Sequence, residues 1–263
     1  MMRSALVCRC MAVLALANVT GTAHSRSTLI DGEEPDMYED TYTFVCPDGG
    51  YESGCTRRDV ERAVVLGDAP QDMLAFDCLY RTQADCTVTA SGQITPQTLD
   101  SVLHWQLLAL QSDDGPATEM IVLFEQDGAL ANLFLSHQTE GYFDPPVAEQ
   151  DGEGRFLLHV PARNGGLGNA DLFLMESGTG WNWWTGDQLL QDINRMLPPG
   201  LALASPVNFN FREGSAFALV RREEDAGCRA TGGVANIDFD FSRPNEINIA
   251  AVSLQYTNAA EFR

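Results

Sequence analysis

The residues able to do chemistry are few and scattered. Past its first 25 positions the chain holds three histidines, His104, His137 and His159, each remote from the others and next to apolar residues. They could converge on a metal or a nucleophile, but an apolar setting predicts a structural, hydrogen-bonded histidine at each place. No G-x-S-x-G elbow, no H-E-x-x-H and no complete glycine-rich nucleotide fingerprint occurs. The 37 Asp and Glu are compatible with a glycosidase-type carboxylate pair, yet their abundance prevents choosing two. All 16 basic residues are arginine. The lack of lysine excludes Schiff-base and pyridoxal-phosphate chemistry, a P-loop lysine and the kinase strand lysine. The sequence thus names no catalytic residue, no cofactor and no metal site.

The most unusual local feature is Trp181-Asn182-Trp183-Trp184, with Trp105 and Tyr142-Phe143 elsewhere. Three tryptophans in four residues could stack on a sugar or another apolar-faced ligand, which makes Trp181, Trp183 and Trp184 the candidate ligand-binding residues. Core or interface packing is the competing expectation. In an extended segment Trp181 and Trp183 would share one face and Trp184 the other, so at most one of the three is expected to be substantially exposed.

The N-terminus reads as an export signal. Arg3 and Arg9 supply positive charge, Met11–Val19 is a short apolar stretch, and Ala23-His24-Ser25 gives a small-x-small cleavage pattern within residues 1–25. No segment has the ~20 apolar residues needed to span a bilayer, so stable membrane insertion is not expected. The net charge of −21 argues against nucleic acid and anionic membrane surfaces as partners. It suits solubility or salinity adaptation as well as cation binding. The expected location is secreted or periplasmic. In such an oxidising compartment the five cysteines beyond the signal read as disulfides rather than metal ligands. Two close pairs enclose turn-rich segments, which predicts Cys46–Cys55 and Cys78–Cys86 and leaves Cys228 free or intermolecular.

The elements that must position these residues are mostly strands. An acidic leader (Asp31–Asp40) precedes a strand over Thr41–Cys46 and a helix over Arg57–Leu66, capped by Thr56 and stopped by Gly67. Leu74–Tyr80 and Cys86–Ala90 read as strands around a turn at Thr82–Asp85. Residues 96–103 fit a helix capped by Thr95 or a strand through Leu103, Trp105, Leu107 and Ala109. Met120–Phe124, Phe156–Val160, Leu172–Met175, Val207–Phe211, Phe217–Arg221, Ile237–Phe241 and Ile247–Tyr256 are further strands. Turns are expected at Ser112–Pro116, at both copies of Glu-Gln-Asp-Gly (125–128 and 149–152), at Asn164–Asn169 and at Glu213-Gly214. A second helix begins at the capping box Thr185-Gly-Asp-Gln188, carries Leu189, Leu190, Ile193, Met196 and Leu197 on one side, and ends at Pro198-Pro199-Gly200. The fold class is α+β: mainly antiparallel β hairpins, sandwich-like or as an open sheet, with two or three short helices. After the signal, a disulfide-stapled region (26–95) precedes a β-rich main domain (96–263).

Three pieces within residues 155–233, His159–Leu174 (HVPARNGGLGNADLFL), Leu197–Leu201 (LPPGL) and Gly227–Gly233 (GCRATGG), resemble a group of secreted bacterial proteins without assigned activity. That pattern carries two adjacent cysteines in its last piece, whereas Arg229 follows Cys228 here. The reading that follows is an exported binding or interaction protein without catalysis, with a carbohydrate or protein as partner. The alternatives are an exported carboxylate-dependent hydrolase acting on carbohydrate or cell-wall material, and a structural envelope component.

Overall fold

The computed structural model describes residues 43–67, 70–95, 102–127, 130–150, 156–164, 168–177, 180–225, 229–243 and 246–256. The export signal, the acidic leader and Cys228 lie outside them. So do residues 96–101 and 151–155, the centre of the Asn164–Asn169 loop, and the side chains of 181–184.

The described residues form mainly antiparallel sheet with three short α-helices. Sheet 1 is a meander of β1 (Asp85–Ile94), β2 (Val102–Gln111), β3 (Thr118–Asp127) and β4 (Leu130–Thr139). After β5 (Tyr142–Phe143) come β6 (Val147–Gln150), β7 (Phe156–Val160), β8 (Ala162–Arg163), β9 (Leu172–Ser177) and β10 (Gly180–Thr185). Sheet 2 has the order β10-β9-β7-β6, and β5 pairs with β8 as a separate ribbon. Sheet 3 joins β11 (Leu201–Leu203), β13 (Ser215–Arg222), β14 (Gly233–Asp240) and β15 (Asn248–Gln255) in that order, and β12 (Asn208–Asn210) also pairs with β13. β1 pairs along its length with β2, so residues on either side of position 95 share one sheet.

The apolar runs explain the layering. Met120–Phe124 is wholly buried because β3 is covered on both faces. Ile121 and Leu123 pack with Leu158, Val160, Leu172 and Leu174 of sheet 2. Met120, Val122 and Phe124 pack on Val45, Val60, Leu74, Leu79 and Tyr80 of the N-terminal segment. Phe156–Val160 repeats the pattern, since Leu157, with Phe173 and Met175, faces sheet 3 and a helix. Strands with two buried faces need no polar alternation, whereas β13 and β14, buried on one side, show it. Small residues fit the tight places: a Cβ on Gly92 would lie 2.6 Å from the Trp105 ring opposite, which fills the core there.

The helices depart from expectation at their ends. Helix α1 runs over Arg57–Ala63, with Thr56 and Asp59 forming a reciprocal capping box. It stops three residues early because Val64 bridges to Tyr80, and the Val65 amide donates to the Leu79 carbonyl (2.9 Å). Leu74–Tyr80 is not a strand: it is an irregular segment that follows a one-turn helix, α2 (Pro70–Met73). Thr41–Cys46 likewise yields only an isolated bridge between Val45 and Tyr51 among the described residues. Helix α3 (Gly186–Met196) forms without the expected side-chain cap at Thr185; the amide of its first residue, Gly186, donates to the Asp171 carbonyl. Leu189 and Ile193 are buried on its inner side, whereas Met196 is exposed. Phe211 sits in a 3-10 turn (Phe211–Glu213) rather than at the end of a strand.

What replaces strand pairing in the irregular segments is a set of side-chain amides. Gln138 on β4 accepts from the Val45 amide (2.9 Å) and donates to the Val45 carbonyl (3.0 Å). Gln106 on β2 accepts from Leu79 (3.0 Å) and donates to the Leu74 and Asp77 carbonyls (both 2.8 Å). Asn169 accepts from the Val207 amide (2.8 Å) and donates to its carbonyl (2.9 Å). All three amides are buried. Leaving a buried donor or acceptor unpaired costs about 1–3 kcal/mol. Gln138→Leu, which strands the Val45 amide and leaves its carbonyl only the Tyr80 hydroxyl, should lower unfolding stability by roughly 1–3 kcal/mol in a denaturant titration. Gln188→Leu on the exposed side of α3 should change it by less than about 0.5 kcal/mol; equal effects would contradict this account.

Candidate functional site

The histidines do not converge. His104 on β2 is buried and stacked on Phe124 (centroids 5.1 Å apart), its Nδ1 has no hydrogen-bond partner, and burial pushes its pKa down. His137 on β4 lies edge-on to Phe143 (6.4 Å), and burial, with the Arg57 charge nearby, pushes its imidazole down to about 4. His159 on β7 faces sheet 3. Its Nε2 is 2.8 Å from Oδ1 of Asp171, which is 1% exposed, and the rings of Phe173, Phe209 and Phe211 surround it at 4.9–6.0 Å. Arg163 approaches the other carboxylate oxygen at 4.0 Å, too far for a hydrogen bond. A histidine–carboxylate pair is the usual core of a general base. Here, however, the imidazole nitrogen far from the backbone is the one committed to Asp171, and the pair sits within packed rings. It ties β7 to the start of β9 and supplies no reactive nitrogen to an open site.

A concave site lies among turns of sheet 1 and the N-terminal segment. A cavity of about 410 Å³ opens where three turns meet: Asp48-Gly49-Gly50, Gln83-Ala84-Asp85 and Gln111–Asp114. The structure joins Cys46 to Cys55 and Cys78 to Cys86, closing the loop that carries the first turn and tying the start of β1 to residue 78. Polar bonds stitch the turns together. The Thr82 hydroxyl donates to the Cys46 carbonyl (2.8 Å), the Gln83 amide to Pro47 (3.0 Å), and the Tyr51 amide to Asp114 (2.9 Å). Ser112 lies between the Gly49 carbonyl and the Asp114 carboxylate. Gly49 has φ +89°, and a Cβ there would lie 2.9 Å from the Ala84 nitrogen, so the turns touch only because the residue is glycine.

Four carboxylates line this recess, from Asp48, Asp85, Asp113 and Asp114, with no basic side chain among them. The Ser53 hydroxyl and the Gly50 amide hold the Asp48 carboxyl below its ordinary range, and Ser112 and the Tyr51 amide do the same for Asp114. Both are fixed as anions at neutral pH. Among the described residues no three His, Cys, Asp or Glu lie close enough together to hold a metal ion. The carboxylates come from all three turns.

The tryptophan segment is β10, paired with β9 from Gly180 opposite Ser177 to Thr185 opposite Leu172. The side chains of Trp181, Trp183 and Trp184 lie outside the described residues. Of the other aromatics named from sequence, Trp105 and Phe143 are buried in the core and Tyr142 is half exposed. Sequence reasoning missed the recess because its walls come from three turns far apart in the chain. Their Asp-Gly and Asp-Asp-Gly composition marks turns but not that they meet. It named His159 as a structural, hydrogen-bonded histidine, as found, but passed over its partner Asp171 and the buried Asn169, which bonds Val207. No family model, curated protein or solved structure matches the chain.

The histidine environment is testable by pH. The folded protein holds His137 neutral at pH values where an unfolded chain, with its ordinary value of 6.5, takes up a proton. Its contribution to stability is complete above 6.5 and is lost as pH falls through about 4. The imidazole resonances of His137 should titrate near 4, and His137→Gln should reduce the drop in Tm between pH 6.5 and 4. Titration near 6.5 would contradict the burial argument.

Proposed function

We propose that this chain is an exported, non-catalytic binding protein whose acidic recess receives a positively charged group. The observation that carries this reading is the recess: a concavity held by two disulfides and a mesh of turn hydrogen bonds, walled by carboxylates and side-chain amides. Pre-organised walls lower the ordering cost of binding. Export is supported by the signal-like residues 1–25, by the disulfides, and by the resemblance of His159–Leu174, Leu197–Leu201 and Gly227–Gly233 to secreted bacterial proteins. Among the described residues no helix is long and apolar enough to cross a membrane.

A carboxylate-dependent hydrolase is the competing reading. Such chemistry needs one carboxyl raised so that it carries a proton at working pH, beside one that stays charged. Asp48 and Asp114 both move the other way, each lowered by hydrogen-bond donors. That pair suits electrostatic attraction, not acid–base exchange.

Calorimetry with spermidine and with an arginine-rich peptide at low ionic strength tests the proposal. Binding should weaken steeply with added salt. Asp85→Asn combined with Asp113→Asn should weaken it about tenfold, as expected for two partly screened ion pairs. These two substitutions leave in place Asp48 and Asp114, which brace the turns. Undiminished affinity in the double variant, or turnover of a glycosidase, peptidase or esterase substrate by the purified chain, would overturn it.

A further inference from the structure

The outer face of sheet 3 has a composition that core packing does not explain. Ala216, Ala218, Val220, Ala235, Ile237 and Phe239 point into the core. The alternate residues therefore face away from it. On that outer face one row runs straight across four strands: Asn208 pairs with Phe217, Phe217 with Asn236, and Asn236 with Ser253. Beside it, Leu219 pairs with Val234 and Val234 with Gln255. Phe217 is 51% exposed at the centre of the first row. Among the described residues no hydrogen bond engages the side chains of Asn208, Asn236 or Ser253.

We propose that this face binds a neutral polysaccharide strand, with Phe217 as the stacking residue. The apolar face of a sugar ring covers an exposed aromatic ring while its hydroxyls stay in one plane at the edge. In-register neighbours on a sheet stand about 5 Å apart, so Asn208 and Asn236 flank the Phe217 ring at the distance where those hydroxyls project. Each carboxamide offers both donors and an acceptor, matching a hydroxyl that does both. The row spans ~14 Å over four strands, room for more than one sugar unit. Charge selects the occupant. Neither row holds an ionised residue, on a chain of net charge −21, and the exposed Asp238 of the next row, between Ser215 and Ala251, adds only negative charge at its edge. A cationic partner would be drawn to the acidic parts of the surface, and a polyanion would be repelled by the whole. A neutral polar polymer is the macromolecule that an uncharged amide-and-aromatic strip complements. The surface is separate from the recess and needs none of its carboxylates.

Co-sedimentation of the full chain with cellulose and chitin, and titration with a soluble mixed-linkage glucan, tests the assignment. Binding to at least one of these is expected, and it should survive high salt, unlike cation binding in the recess. Phe217→Ala should weaken it about tenfold, Phe217→Trp should preserve it, and Asn236→Ala should weaken it while the Tm stays unchanged. The proposal is overturned if none of the three glycans binds, or if Phe217→Ala binds as tightly as the parent. It is equally overturned if the residue's effect is confined to self-association of the chain seen by sedimentation.

Discussion

Three side-chain amides hold this fold together. Sheets 1 and 2 are buried on both faces, so each must be covered by something, and the cover on the outer face of sheet 1 is irregular chain. Irregular backbone cannot be buried with its polar groups unpaired. Gln106 and Gln138 solve this from within sheet 1 by presenting a donor and an acceptor to the covering segment, as a neighbouring strand would. Asn169 does the same for Val207 between sheets 2 and 3.

The clamps also set the surfaces proposed to bind ligands. Gln138 and the Tyr80 hydroxyl grip Val45, one residue before the Cys46–Cys55 loop whose Asp48-Gly49-Gly50 turn walls the recess. Asn169 grips Val207, one residue before Asn208, and so fixes β12 beside Phe217. The His159–Asp171 pair belongs to the same design: it sits two residues from Asn169 and spends its chemistry on joining β7 to β9. Polar groups inside the molecule position its surfaces, and the surfaces carry the binding proposed here.

Much of the sheet architecture was legible in the sequence. Met120–Phe124 and Phe156–Val160 are strands because they are continuous apolar runs bounded by turns, and β13 and β14 alternate as one-sided strands do. The disulfide pairs follow from local spacing across turns. The failures share one cause. Leu74–Tyr80 has the composition of a strand, yet its backbone is satisfied by Gln106, a side chain nearly thirty residues away, so no ladder is needed. The start of α3 is likewise held from outside the helix, by the Asp171 carbonyl that takes the Gly186 amide, while Thr185 makes no side-chain cap. A glutamine inside an apolar strand gives no hint in sequence of the backbone it will bind. The recess and the Phe217 row were hidden for the same reason: each exists only once distant segments are in register.

The central claim, that side-chain amides replace strand pairing where the layers meet, is tested most directly by residue-resolved hydrogen exchange. The amides of Val45, Leu79 and Val207 lie outside the strands and donate only to Gln138, Gln106 and Asn169. They should exchange as slowly as Ile121 and Val122 in the middle of β3, with Val45 released selectively in Gln138→Leu. Exchange of all three at the rate of the Ser112–Pro116 turn would contradict the account.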